Sequence, residues 1–485
     1  MLKSKCISSV ILDDVANLSA SPLLKSASSA DAIFQNLRSV YCGPITIEYA
    51  HVSSFEQREW LTEHFESLTD RFPLTQKEAA NIAQLLIKGQ IFDHFIASKF
   101  ASVKRYSGEG AESLLPAVQT ILRQAALDGV HTAVFGMPHR GRNNLLTTLF
   151  NYPVELYFLK MKGQNEFAPG TVATGDTFSH FFTSTDLSLP PLDEFSDSLS
   201  VHATMVPNPS HLEANIPVCM GKARSKMLSL RDGDYNESDL ETAKNGDKVL
   251  CVQIHGDASV TGQGVVAESL AIGACPHFDT GGSIHLIVNN QVGFTTESPR
   301  GSSFQYVSDV AKTAGYPVLH VNADHPEAVY RAARLAAQYR HRFRRDVFID
   351  LVCYRRWGHN ELDDPTMTQP LMYSHIHGKK TCPDAYLERL QNDKSIPHSL
   401  IESNVLQPCK EWSALLHQKL ESIDKNFPTQ NLTFKGVWSG FDPVSSGIGD
   451  GIHVINTGVD PLELVQLGSK TVHVPSWFSI HPTVQ

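Results

Sequence analysis

Five short stretches of this chain are apolar at successive positions: HTAVFGM, VLCVQIH, SIHLIVNN, PVLHVN and VFIDLVCY. A strand with one wet face alternates apolar and polar residues. These runs do not, so both of their faces are buried. Between them lie segments with helical spacing, GQGVVAESLAIGAC and HPEAVYRAARLAAQYRHRF, the second with Pro326 in its first turn, where proline is favoured. Buried strands separated by helices specify an α/β fold with a parallel sheet covered on both faces.

The sequence divides into three regions. Residues 1–75 read as polar and irregular, with one helix at Glu56–Leu68. Residues 76–385 hold two helix-patterned segments and then the alternating strands and helices. Residues 386–485 lose that regularity, pass through the turn-rich SSGIGDGIH and read as a connector. With 41 basic and 51 acidic residues the net charge is −10, and no basic stripe appears, so general nucleic-acid binding is not expected. No apolar run reaches the roughly 18 residues needed to span a bilayer. The eight cysteines form no C-x-x-C pair and several sit in apolar runs, which reads as reduced, buried thiols. The first 22 residues lack a secretory apolar region, and Asp13 and Asp14 do not suit a mitochondrial leader.

In a parallel sheet, ligands gather at the carboxyl ends of the strands. One such end reads His255-Gly256-Asp257-Ala258, and the next reads Asn289-Asn290-Gln291-Val292-Gly293. An acid and an amide at neighbouring strand ends can give two oxygens to one hard cation such as Mg²⁺, which takes the rest of its octahedron from water and phosphate. Gly256 allows close backbone approach, and the helix that follows presents its N-terminus to an anion. The chain has five Gly-Asp pairs and two Asn-Asn pairs, so each alone says little. Their succession across one crossover says more. The competing reading is a turn aspartate and a turn asparagine.

Gly-Asp, about thirty residues, then Asn-Asn resembles the thiamine-diphosphate motif of the transketolase-like enzymes. The wider text resembles the 2-oxoglutarate dehydrogenase E1 family, from residue 40 to 375: GMPHRGRNNLL, ATGDTFSH, VPNPSHLEAN, HGDASVTGQGVVAES, IVNNQVGFTT, HVNADHPEAV and YRRWGHNELDDPTMTQPLMY. KRYSGEGAES, ATGDTFSH and GSIHLIVNNQVG favour the 2-oxoadipate branch of that family. The resemblance implies a transketolase-like α/β domain over 76–385 that binds thiamine diphosphate and Mg²⁺. Asp257, Asn290 and the Val292 carbonyl would hold the cation, with Gly256, Ala258 (usually glycine) and His359 beside the cofactor. His139, His180 and His202 would contact a 2-oxo acid, where an alkoxide develops and histidine can donate a proton.

The substrate would be 2-oxoadipate or 2-oxoglutarate, and the acyl group would pass to a lipoyl-bearing E2 partner. The resemblance further implies a homodimer in the mitochondrial matrix. Arg140 and Arg142 would hold the loop or a phosphate, or make surface ion pairs; His211 would brace a turn. Three departures stand out. Asn143 replaces a usual leucine, the stretch from Asp186 to Ser200 is longer and more acidic than the family loop, and no second α/β domain follows residue 385. That last feature leaves 386–485 as a connector toward an absent pyrimidine-binding domain. It keeps open a non-catalytic half-chain, or another transketolase-like enzyme, as alternatives.

Overall fold

The computed structural model describes residues 29–164, 177–191, 198–236, 243–423 and 456–484. The readings of the N-terminal segment and of SSGIGDGIH fall outside these. Eight strands form one sheet: β1 Ile45–Glu48, β2 Thr132–Gly136, β3 Thr183–Leu189, β4 Leu199–Met205, β5 Val249–Gly256, β6 Ser283–Asn289, β7 Val318–Asn322 and β8 Val347–Val352. Their spatial order is β1-β7-β8-β6-β5-β2-β4-β3. The six inner strands are parallel, and β1 and β3 close the two edges antiparallel.

The helices that matter below are, in chain order, α1 Ala30–Tyr41, α2 Phe55–Glu66, α3 Gln76–Lys99, α4 Leu114–Leu127, α5 Arg142–Thr148, α6 Val154–Met161, α7 Asn215–Leu230, the single turn α8 Asp257–Val260, α9 Gly264–Ile272, α10 Pro326–Phe343, α11 Cys382–Asn392, α12 Gln407–Ser422 and α13 Pro461–Val472. The unalternating runs do feed two cores. Ala133 and Phe135 of β2, Leu250, Val252 and Ile254 of β5, and Val347, Ile349 and Leu351 of β8 pack with α3, α4, α5 and α10. Their neighbours Val134, Val249, Cys251 and Phe348 pack on the other face with α7 and α9. Each strand thus spends both sides of its two-residue period on apolar contact.

Two domain boundaries need correction. The described residues from 29 to 423 form one compact unit, and 456–484 belong to a second. Residue 75 is not a seam: β1 pairs with β7, and Trp60 of α2 packs on Tyr339 and Phe343 of α10 at ring distances of 6.0 and 5.5 Å. Residue 385 is not one either. The side chain of Gln90 in α3 reaches Thr381 at the head of α11 (3.1 Å), and Trp412 of α12 donates to the Lys88 carbonyl (3.2 Å). Both segments were read as irregular because their apolar residues are few and scattered. They are ordered by what they pack against rather than by their own pattern. In the second unit, α13 is capped by Asp460, whose side chain accepts from the Leu462 N–H (2.8 Å).

At the amino-terminal edge of the sheet, Arg340 of α10 is 1% exposed. Its guanidinium donates to the carbonyls of Gly282 (2.9 Å), Gly246 (2.8 Å), Val249 (2.8 Å) and Thr280 (3.2 Å). It joins the loops that lead into β5 and β6. Arg340→Leu would leave these carbonyls buried without a donor. Hydrogen bonds to a charged group contribute about 1.5–3 kcal/mol each, so a loss of at least ~3 kcal/mol is expected in urea unfolding. A loss under ~1 kcal/mol would show that water replaces the guanidinium there.

Candidate functional site

From β2 the chain proceeds to β3 and β4 on one side, while β5 lies on the other side of β2. The helix after β2, α5, sends Leu145 and Leu146 into one core; the helix after β5, α9, sends Val266 and Leu270 into the other. Strand order therefore reverses between β2 and β5, and a crevice forms at their carboxyl ends, where open α/β sheets bind ligands.

Asp257 follows directly on Gly256, the last residue of β5, and Asn290 on Asn289, the last of β6. Register sets Gly256 opposite Val288, so the two ends are adjacent. Asp257 is 4% exposed. Burial pushes its carboxyl up to about 6; the N–H groups of Asp257, Ala258 and Gln291 pull the other way as donors, and Asp350 adds repulsion. Among the described residues it makes no ion pair. The Asn290 side-chain oxygen accepts from the Val292 N–H (3.3 Å), and Gln291 sits at φ 66° to make the turn. Gly293 has a role here too: a Cβ on it would lie 2.5 Å from the Ala258 Cβ, so only glycine lets the β6 loop close on the α8 turn. Beside Asn290 and Gln291 opens a cleft of about 590 Å³, also lined by Cys353, Tyr354, His320 and Lys379.

These donors fit a hard cation: one carboxylate without a basic partner, one amide oxygen and the carbonyl of buried Val292. Among the described residues no three His, Cys, Asp or Glu side chains converge as a metal-holding group. A site of this kind would need oxygens from an anionic ligand to complete it.

His139 lies in the loop after β2. Its ring stands 4.4 Å from that of Tyr106 and 5.9 Å from that of His359, whose ring is 5.0 Å from Phe294. Asn208, its side-chain oxygen turned toward the loop, accepts from the His139 N–H at 3.2 Å. Burial, then Arg140, His359 and His180, push the His139 imidazole down to about 3. Burial with Arg140 and Arg355 pushes His359 to about 4. Arg140 donates to the His359 carbonyl (2.8 Å), and Arg355 to the Trp357 (2.9 Å) and Phe294 (2.9 Å) carbonyls. Both arginines line a narrow cleft with Asn290, Ser107 and Glu109. Burial, then the neighbouring Arg355, disfavours the charge on Arg140; the two guanidinium groups, with no ion pair among the described residues, suit an anion.

Arg142 is neither a surface ion pair nor a phosphate contact. It is fully buried, and its guanidinium donates to the carbonyls of Met137 (2.8 Å), Phe181 (2.7 Å) and Val206. The loops bearing His139 and His180 are thereby fastened to the end of β4. His202 stands apart from this group. It lies within β4, opposite Thr132, the first residue of β2, and so away from the carboxyl ends. Its ring contacts Asp186 (2.7 Å) and Ser184 (3.0 Å) across the β3–β4 ladder. The acidic stretch thought to be a loop is in part β3, and it supplies this partner; residues 192–197 lie outside the described ones. The structure thus gathers His139, His180, His359, Asp257 and Asn290 at one face and leaves His202 out. Sequence reasoning passed over Tyr106, Asn208, Glu213 and Arg355, although SHLEAN and YRRWGH contain the last two.

Residues 194–404 match the family model described as dehydrogenase E1 component. The chain is 44% identical over 460 residues to a mouse 2-oxoadipate dehydrogenase complex component E1, covering 94% of this chain and 48% of that protein. Identity to the human protein of the same name is 42%, with the same coverage. A mitochondrial 2-oxoglutarate dehydrogenase of Dictyostelium discoideum is 36% identical over 93% of this chain and 42% of its own length. The chain spans about half the length of the curated relatives it matches.

The electrostatics of the histidine group can be tested directly. By ring NMR the His139 imidazole is expected to stay neutral until about pH 3, and to titrate higher in Arg140→Gln. Because the unfolded ring takes its proton first, this histidine's contribution to stability is complete above about pH 6.5 and falls as pH drops toward 3. Titration near pH 6.5 in the folded wild type would contradict the burial and charge arrangement described.

Proposed function

We propose that this homologue of dehydrogenase E1 subunits contributes the diphosphate- and Mg²⁺-binding part of a 2-oxo acid dehydrogenase E1 component. The observation that carries the reading is the buried Asp257 carboxylate, set beside Asn290 at a strand-order reversal and lacking a basic partner. Asp257, Asn290 and the Val292 carbonyl would hold Mg²⁺. Gly256 would let the backbone approach the diphosphate, Ala258 standing where the wider transketolase-like motif has glycine and the 2-oxoglutarate dehydrogenase E1 group has alanine. Thiamine diphosphate, when bound, supplies the carbanion chemistry that decarboxylates a 2-oxo acid.

The chain's own part is to bind, orient and move protons. Arg140 and Arg355 offer positive charge to a diphosphate or a substrate carboxylate. His139, kept neutral, is suited to exchange a proton with the oxygen of a reacting ketone, with His180 and His359 close by. Arg142 keeps these loops in register. The substrate would be 2-oxoadipate, as the names of the relatives indicate, with 2-oxoglutarate as the shorter competitor. The acyl group would pass to a lipoyl-bearing E2 partner, with the protein a homodimer in the mitochondrial matrix.

The test is calorimetric titration of the purified chain with thiamine diphosphate and Mg²⁺. It would be followed by decarboxylation assays on both acids with an artificial electron acceptor. Metal-dependent cofactor binding is expected in the wild type and should fall at least ~10-fold in Asp257→Ala and Asn290→Ala. Unchanged binding in both variants would sink the cation assignment. Turnover would name the acid; binding without turnover would put the remaining catalytic groups outside this chain.

A further inference from the structure

Glu213 stands just before α7. It is 4% exposed and sits at φ 68°. A non-glycine residue in the left-handed region is uncommon and is kept only where its surroundings fix it. What fixes it is its carboxylate. One oxygen accepts the Ser259 hydroxyl; the other lies 2.8 Å from Nδ1 of His255, which donates to it. Ser259 is itself buried, and its hydroxyl oxygen is also 3.1 Å from the Gly256 carbonyl. On its far side the His255 ring meets His285 (3.0 Å), which in turn meets Asp346 (3.2 Å).

His255 and Ser259 are the residues two before and two after Asp257. One carboxylate therefore ties down both ends of the five-residue turn that presents the Asp257 side chain. It does so without touching Asp257. Groups that orient a ligand from behind usually govern metal affinity nearly as strongly as the ligand does. We propose that Glu213 is the positioning residue of the cation site: through His255 and Ser259 it fixes the Gly256-Asp257 turn in the pose that a divalent cation needs. The proposal rests on the reading of Asp257 as a cation ligand.

Mn²⁺ replaces Mg²⁺ at oxygen sites and its free concentration is read by electron paramagnetic resonance. The full chain would be titrated with Mn²⁺ in the presence of thiamine diphosphate, as wild type, Asp257→Ala, Glu213→Gln and Ser259→Ala. Circular dichroism melts would confirm that each sample is folded at the working temperature. The expected result is binding in the wild type, loss in Asp257→Ala and a roughly 10- to 100-fold weaker constant in Glu213→Gln. Ser259→Ala should weaken binding by less, since one of the two ties remains.

The outcomes separate cleanly. Wild-type chain that takes up no Mn²⁺ overturns the cation reading and this proposal with it. Binding that is lost in Asp257→Ala but equal in wild type and Glu213→Gln overturns the role of Glu213 alone. If Glu213→Gln does not fold, Ser259→Ala decides: an unchanged constant there rejects the tie between Glu213 and the turn.

Discussion

A carboxylate buried without a cation is an unfinished interaction, and the carboxyl face of this sheet is arranged around one. Asp257 is held out of water by β5, β6 and the α8 turn, and its neighbours offer it N–H groups. Those donors steady the charge but do not neutralise it, and Asp350 works against it. An isolated ionised carboxylate in such a place costs several kcal/mol, so it either takes up a proton or takes a cation. A few residues away the imbalance has the opposite sign. Arg140 and Arg355 stand together without an acid in ion-pair contact among the described residues, between histidines that they keep neutral. A divalent cation carrying an anionic ligand, as proposed, would satisfy both halves at once.

The parallel sheet makes this arrangement possible. Strands that are apolar on most of both faces carry the polar groups open to a ligand at their ends. At the carboxyl ends stand Asp257, Asn290 and the loop of His139; at the amino-terminal edge Arg340 stitches four carbonyls together. Arg142 does the corresponding work on the ligand-binding side with three carbonyls. Neither guanidinium meets a carboxylate in these bonds. Each satisfies backbone acceptors that the irregular entry and exit of the strands would otherwise leave buried and unpaired. The loops of the site are held to the framework by these directional contacts together with the apolar packing of Met137, Phe181 and Val206.

How much of this could be read from the residues alone follows from the range over which each feature is determined. The strands and the pairing of Asp257 with Asn290 were legible because each depends on a short local pattern and one crossover. His202 was misplaced because its position depends on register. It stands opposite the first residue of β2, and only the pairing of β2 with β4 reveals that it is at the wrong end. β1 was missed because a four-residue edge strand carries little pattern; it exists because β7 offers it a ladder. For Arg142 the residues left holding the loop, a phosphate or a surface ion pair open, because which of these an arginine does depends on what its distant neighbours bury. Glu213 lies in the SHLEAN stretch, but nothing in its neighbours announces a left-handed backbone at a glutamate or its tie to the Asp257 turn.

The buried polar row behind Asp257 also bears on strand register. His255 Nδ1 donates to Glu213, and His285 Nε2 donates to Asp346. The contact between the other two ring nitrogens, at 3.0 Å, also needs a proton on one of them. Burial disfavours charge on His285, so the row is held by hydrogen bonds whose protons are shared among the two rings and the two acids. The row is a polar rung laid across β5 and β6, between strands whose cores are otherwise mostly apolar. Such a row specifies register, because sliding β6 by one residue would turn His285 to the opposite face and part it from both His255 and Asp346. The same row that anchors His255 behind the cation site thus also fixes which residue of β6 comes to stand beside Asp257. Asn290 reaches its place for that reason, and not only because it follows the end of a strand.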